Sequence, residues 1–124
     1  MRKLLLIEPD QTLRQSTAEI LTQSGYQVVT AAHGAEGLRQ FQTQPFDVVV
    51  TEIVMPEKDG LEVIMGILRE KPEVCVVAMS VRVFPGLPLD VLRIAKNLGA
   101  CATLWKPHTR AELLEALTKC GRLP

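Results

Sequence analysis

Neither sign of charge is in excess in this chain: 14 acidic residues balance 14 basic ones over 124 residues. No basic run is visible either. Binding nucleic-acid phosphates needs a basic surplus or a basic stripe, so a general nucleic-acid partner is not expected. Long apolar runs are lacking too, and nothing approaches the roughly 20 residues of a membrane span. Leu4-Leu5-Leu6-Ile7 follows Arg2 and Lys3, but Glu8 and Asp10 close it at once, which is too short for a signal-peptide core. A cytoplasmic protein is expected. Cysteine is scarce, and none of Cys75, Cys101 and Cys120 has a close partner at zinc or redox spacing. They read as reduced thiols used as small apolar residues. There is no glycine-rich phosphate loop. Neither His33, before Gly34, nor His108, after Pro107, stands in a catalytic arrangement.

What the chain does have is a regular alternation of strand and helix patterns. The apolar runs predict strands over residues 3–7, 27–30, 47–51, 74–79 and 102–104. Between and after them, helical spacing predicts helices over 11–24, 34–42, 60–69, 88–98 and 109–120. Leu13, Ala18, Ile20 and Leu21 are assigned to the apolar face of the first helix, and Gly25 to its C-terminal stop. Thr109 and Glu112 form a capping-box pattern at the last helix. Strand–helix units in series imply a doubly wound α/β fold with a parallel sheet and helices on both faces. The flavodoxin-like order 2-1-3-4-5 is expected. Residues 1–124 read as one domain with no linker and no attached output domain.

One segment concentrates the chemistry. Val48-Val49-Val50-Thr51-Glu52 runs an apolar strand into a single acid, followed by Ile53-Val54-Met55-Pro56 and Asp59-Gly60. Carboxyl ends of parallel strands are where open α/β sheets build their sites. Two further segments end strands in the same way: Glu8-Pro9-Asp10 after the first, and Ser80 after Val76-Val77-Ala78-Met79. Leu104-Trp105-Lys106-Pro107 follows the fifth.

Together, in this order, these segments resemble the receiver domain of two-component response regulators (CheY-like), and the resemblance covers essentially the whole chain. It implies a phosphoacceptor Asp at the position of Glu52, an acidic pair at positions 8 and 9 whose second member binds a magnesium ion, and phosphoryl contacts from Ser80 and Lys106. It further implies a cis bond before Pro107, aiming Lys106 inward. Two positions depart from the pattern. Pro9 stands where the metal-binding Asp is expected and offers no ligand. Glu52 is one methylene longer than Asp, and errors of about 1 Å in positioning a reacting group can cost a hundredfold in rate. Glu8, Asp10 and Glu52 are the carboxylates left for a metal, with Asp10 also suited to cap the following helix. A partly buried Lys106–Glu52 ion pair is expected, whether Lys106 awaits a phosphoryl group or simply neutralises the neighbouring acids.

A third departure is Thr103, which aligns with the family's switch aromatic. Trp105 is the only tryptophan, either an exposed aromatic or cover for the edge near the last helix. Phe84, Leu87 and Leu89 lie in a Pro- and Gly-containing segment after the fourth strand, either an exposed apolar patch or tucked onto the sheet. Thr103, Trp105 and Phe84 are therefore the candidate partner surface.

The reading favoured by these residues is an atypical, stand-alone receiver in phosphorelay signalling, a protein-binding module not switched by aspartyl phosphorylation. No catalytic residue and no cofactor are then expected. Glu52 would act as a fixed phosphoryl mimic, or the protein as a scaffold or decoy. The alternative is a working receiver that takes a phosphoryl group from a histidine kinase with Mg2+ at an altered site. Partners implied are a histidine kinase, another regulator or an output protein, with a homodimer through the helix 4–strand 5–helix 5 face also open. An unrelated flavodoxin-like enzyme or nucleotide binder ranks third.

Overall fold

The computed structural model describes residues 2–81 and 90–120. Its elements alternate as β1 (Lys3–Ile7), α1 (Gln11–Gln23), β2 (Gln27–Ala31), α2 (Gly34–Thr43), β3 (Val48–Glu52), α3 (Gly60–Glu70), β4 (Cys75–Val81), α4 (Val91–Leu98), β5 (Ala102–Lys106) and α5 (Arg110–Thr118). All strand pairs are parallel, and the sheet order is β2-β1-β3-β4-β5. This is the doubly wound architecture and strand order expected from the alternation. The helices fall on two faces because each connection is a crossover.

Strand pleating divides the core accordingly. Leu5, Ile7, Val49, Val76 and Ala78 face one way, against Phe41 of α2, Val63, Ile64 and Ile67 of α3, and Leu92 and Ala95 of α4. Leu4, Leu6, Val48, Val50, Val77 and Met79 face the other, against Leu21 of α1 and Leu113, Ala116 and Leu117 of α5. β1, β3 and β4 are apolar on both faces, as central strands of a parallel sheet must be.

Side-chain caps set most helix starts. Asp10 Oδ1 accepts from the Leu13 amide at 2.9 Å and opens α1. Asp59 does the same for α3 through the Glu62 amide, and Asp90 for α4 through the amides of Leu92 and Arg93. Thr109 and Glu112 complete the expected capping box on α5. His33 caps α2 by accepting from the Glu36 amide, while Glu36 accepts from the Ala32 amide.

Several sequence expectations change in the folded chain. Strands β4 and β5 run on to Val81 and Lys106, so Ser80 and Lys106 sit within the sheet rather than in loops. Leu13 is 43 % exposed, and Thr17 takes its place on the buried side of α1. Trp105 packs on the α4 side, not toward α5. Alternation along β5 is the cause: Leu104 faces α5, which sends its neighbours the other way. Phe84, Leu87, Leu89 and the expected start of the fourth helix at Pro88 lie outside the described residues.

The cysteines depart most from expectation. Cys75 and Cys120 are joined in a disulfide, with Cα atoms 5.5 Å apart, and Cys101 remains a free thiol beside them. A sequence separation of 45 residues hid the pair from any local spacing rule. Parallel topology brings the start of β4 and the end of α5 to one end of the sheet. By chain entropy, closing a loop of that length stabilises the fold by about 4 kcal/mol.

Gly60 shows how tightly α3 is seated behind β3. Its amide donates to the Ile53 carbonyl at 2.7 Å. A Cβ here would stand 2.4 Å from the Glu52 carbonyl oxygen and 2.5 Å from Ile53 Cα. Both obstacles are backbone and cannot rotate away. Gly60→Ala is therefore expected to destabilise the protein by about 1–3 kcal/mol, read as a lower urea midpoint at unchanged slope.

Candidate functional site

The carboxyl ends of β1, β3, β4 and β5 bring Glu8, Glu52, Ser80 and Lys106 to one edge of the sheet. Three of them form a closed charge cluster. Lys106 Nζ lies 2.5 Å from Glu52 Oε1 and 2.7 Å from Glu8 Oε1. Glu8 and Glu52 are 3 % and 4 % exposed, and the lysine side chain is 13 % exposed. Two carboxylates this deeply buried need a cation and hydrogen bonds on their remaining oxygens.

Both needs are met. Glu52 Oε2 accepts from the backbone amides of Ile53 and Val54, at 3.1 and 3.0 Å. Glu8 Oε2 accepts from the Asp10 amide at 3.0 Å. Arg14 ties the same turn down by donating to the carbonyls of Glu8, at 2.9 Å, and Pro9, at 3.3 Å. Among the described residues, no buried side-chain polar atom is left without a partner. The Lys106–Pro107 bond is cis.

Burial by itself would lower the Lys106 pKa. Hydrogen bonds to Glu52 and Glu8, together with their charges, outweigh that penalty and raise it above the usual lysine value. The ammonium is thus fixed as the counter-ion of the cluster, with one negative charge in excess. Ser80 takes no part: it is fully buried, and its hydroxyl donates to the Val81 carbonyl at 3.3 Å. Asp10, at the helix start, is exposed and turned to its capping bond. A cleft of about 270 Å³ opens beside Lys106, walled by Leu13, Thr17, Val81, Pro107 and His108.

The family model of the response regulator receiver domain matches residues 4–118. The chain belongs to the response regulator receiver family. It is similar to the chemotaxis protein CheY of Listeria monocytogenes, 30 % identical over 123 residues that span 98 % of this chain and 100 % of that protein. The transcriptional regulatory protein PdtaR of Mycobacterium tuberculosis is 29 % identical over 119 residues, 94 % of this chain and 55 % of PdtaR. Among solved structures, a receiver domain protein from Clostridium thermocellum superposes with a TM-score of 0.87 at 30 % identity, covering 97 % of this chain and 94 % of that one. The Vibrio cholerae chemotaxis protein CheY4 gives 0.85 at 27 % identity, covering 97 % and 98 %.

Receivers of this family are signalling modules, and this one has no helix among its described residues long and apolar enough to cross a membrane. Its acidic edge already has partners on the carboxylate oxygens that a magnesium ion would use. Mg2+ takes oxygen ligands, with carboxylates among them. Here each buried carboxylate has one oxygen on the Lys106 ammonium and the other on backbone amides. Pro9 contributes no side-chain oxygen. Of the candidate partner residues, Thr103 and Trp105 are half-buried neighbours on β5, paired in register with Ala78 and Ser80.

Sequence reasoning missed the two amides that hold Glu52. No local motif signals this contact, because it depends on how the loop after β3 turns its amides toward the carboxylate. It also missed Arg14, whose role depends on its position one turn into α1 and carries no local motif.

Lys106→Met leaves two buried carboxylates without a cation and is expected to cost about 3–5 kcal/mol in urea denaturation. Its pH dependence has a definite sign. Because the folded-state pKa is raised, the stabilisation from Lys106 is complete below about pH 10.4, the unfolded lysine value. It is lost as pH rises through the higher folded-state value. The stability gap between the wild type and Lys106→Met should therefore narrow as pH rises through the alkaline range.

Proposed function

We propose that this chain is a receiver with a fixed switch: a protein-binding signalling module that is not turned by phosphorylation at position 52. The observation that carries this reading is the engagement of Glu52, whose two oxygens are held by Lys106 and by the amides of Ile53 and Val54. A phosphoacceptor oxygen must be free to attack and aligned with the incoming phosphorus. Here no metal ligand stands at Pro9, and the longer acceptor is tied back into its own loop. No cofactor is needed for such a module.

The same contacts bear on whether Glu52 imitates a phosphoryl group. The resemblance assigns two contacts to that group, from the lysine and from the hydroxyl after strand four. Lys106 meets Glu52, but Ser80 bonds to Val81 instead. Glu52 therefore acts as a lock on the lysine rather than as a full phosphoryl mimic. Output passes through a partner protein, a kinase, regulator or effector, at the surface of α4, β5 and α5. Thr103 and Trp105 belong to this surface. Homodimerisation there is one form such an interface can take.

Intact-mass measurement after incubation with magnesium and a small acyl phosphate tests the proposal. The wild type should gain no phosphoryl adduct. Pro9→Asp/Glu52→Asp, which restores both acids, should gain one. An adduct on the wild type that vanishes in Glu52→Gln would overturn the reading and make this a working relay protein.

A further inference from the structure

The end of the sheet opposite the acidic cluster gathers all three cysteines of the chain. Cys75 opens β4, Cys101 precedes β5, and Cys120 follows α5. Their Sγ atoms all lie within 4.8 Å of one another. Cys75 and Cys120 are 4 % and 8 % exposed and share the disulfide, whereas Cys101 is partly exposed and free. The backbone holds this arrangement: the Cys101 amide donates to Val76 at 2.8 Å, and the Cys120 amide to Leu117 at 3.2 Å.

Thiol–disulfide exchange needs a thiolate within reach of a disulfide sulfur, and its rate depends on access. An outside reagent meets Cys101 first, because the other two sulfurs are buried. Two exposed lysines neighbour the cysteines, one through space and one along the chain. Lys96 donates to the Cys101 carbonyl at 3.4 Å, and Lys119 precedes Cys120. Their charge suits an anionic reagent.

We propose that Cys75, Cys101 and Cys120 form a thiol–disulfide exchange site for anionic low-molecular-weight disulfides, of the oxidised glutathione class, with Cys101 as the entry sulfur. In the reduced protein the Cys101 thiolate attacks one sulfur of the reagent, bonds to it and expels one reagent thiolate. The Cys120 thiolate then attacks Cys101 Sγ and expels the second. The Cys75 thiolate attacks Cys120 Sγ, and Cys101 leaves as a thiolate again. Two protein thiols become one disulfide, the reagent disulfide becomes two thiols, and two electrons pass to the reagent. The protons given up by Cys75 and Cys120 end on the two reagent thiols. The product ties the end of α5 to the base of β4. None of these steps draws on Glu52 or Lys106, so the site stands or falls apart from the phosphorylation reading.

The test follows oxidation of the fully reduced chain by oxidised glutathione, with acid quenching, maleimide alkylation and intact-mass readout. The wild type should end with one alkylatable thiol and no retained glutathione. Cys101→Ser should form the same Cys75–Cys120 bond about tenfold more slowly or worse, with an unchanged urea midpoint once oxidised. Cys75→Ser/Cys120→Ser should hold one glutathione on Cys101. Oxidation of Cys101→Ser at the wild-type rate would overturn the proposal, as would three alkylatable thiols remaining on the wild type. Stoichiometric zinc binding that protects all three thiols and blocks their oxidation would overturn it in favour of a soft-metal site.

Discussion

A single ammonium group holds the carboxyl edge of this sheet together. Lys106 lies between Glu8 and Glu52, two carboxylates almost wholly removed from water. Without the cation their mutual repulsion and desolvation would add; with it, each acid is paired and its spare oxygen is met by backbone amides. The ends of β1, β3 and β5, the turn pinned by Arg14 and the loop leading to α3 all converge on this contact.

That arrangement also separates the chain's fold from its switch. The scaffold belongs to a family of signalling receivers, and the superpositions on solved members are close along almost the whole chain. At the carboxyl end of β3, Glu52 is buried and paired within the protein. One oxygen of Glu52 accepts from the amides of Ile53 and Val54, and the other pairs with Lys106. Pro9 offers no side-chain oxygen to this edge, and its carbonyl is held by Arg14.

The two ends of the sheet carry different chemistry. At the carboxyl ends are buried charges satisfied within the protein. At the amino ends are three sulfurs, one of them open to solvent. Parallel topology is the common cause, because it gathers all strand starts at one end and all strand finishes at the other. Residues far apart in the chain, such as Glu8 and Lys106, 98 positions apart, become neighbours without any local motif.

The sequence by itself determined the element order and the doubly wound class. Apolar runs of strand length alternating with helical spacing are local signals, and Asp10, Asp59 and Thr109 announce helix starts through side chains that act on their own neighbourhood. The expectation of a Lys106–Glu52 pair rested on the family resemblance, and it is the contact the structure shows. What only the tertiary structure decided depends on register and on which face of a strand a residue takes. The pleat turns Trp105 toward α4 because Leu104 is claimed by the α5 side. The bond between Cys75 and Cys120 exists because a strand start and a helix end meet, 45 residues apart. The closing of Glu52 onto its own loop depends on side-chain reach measured against backbone amides, a distance that no spacing along the chain encodes.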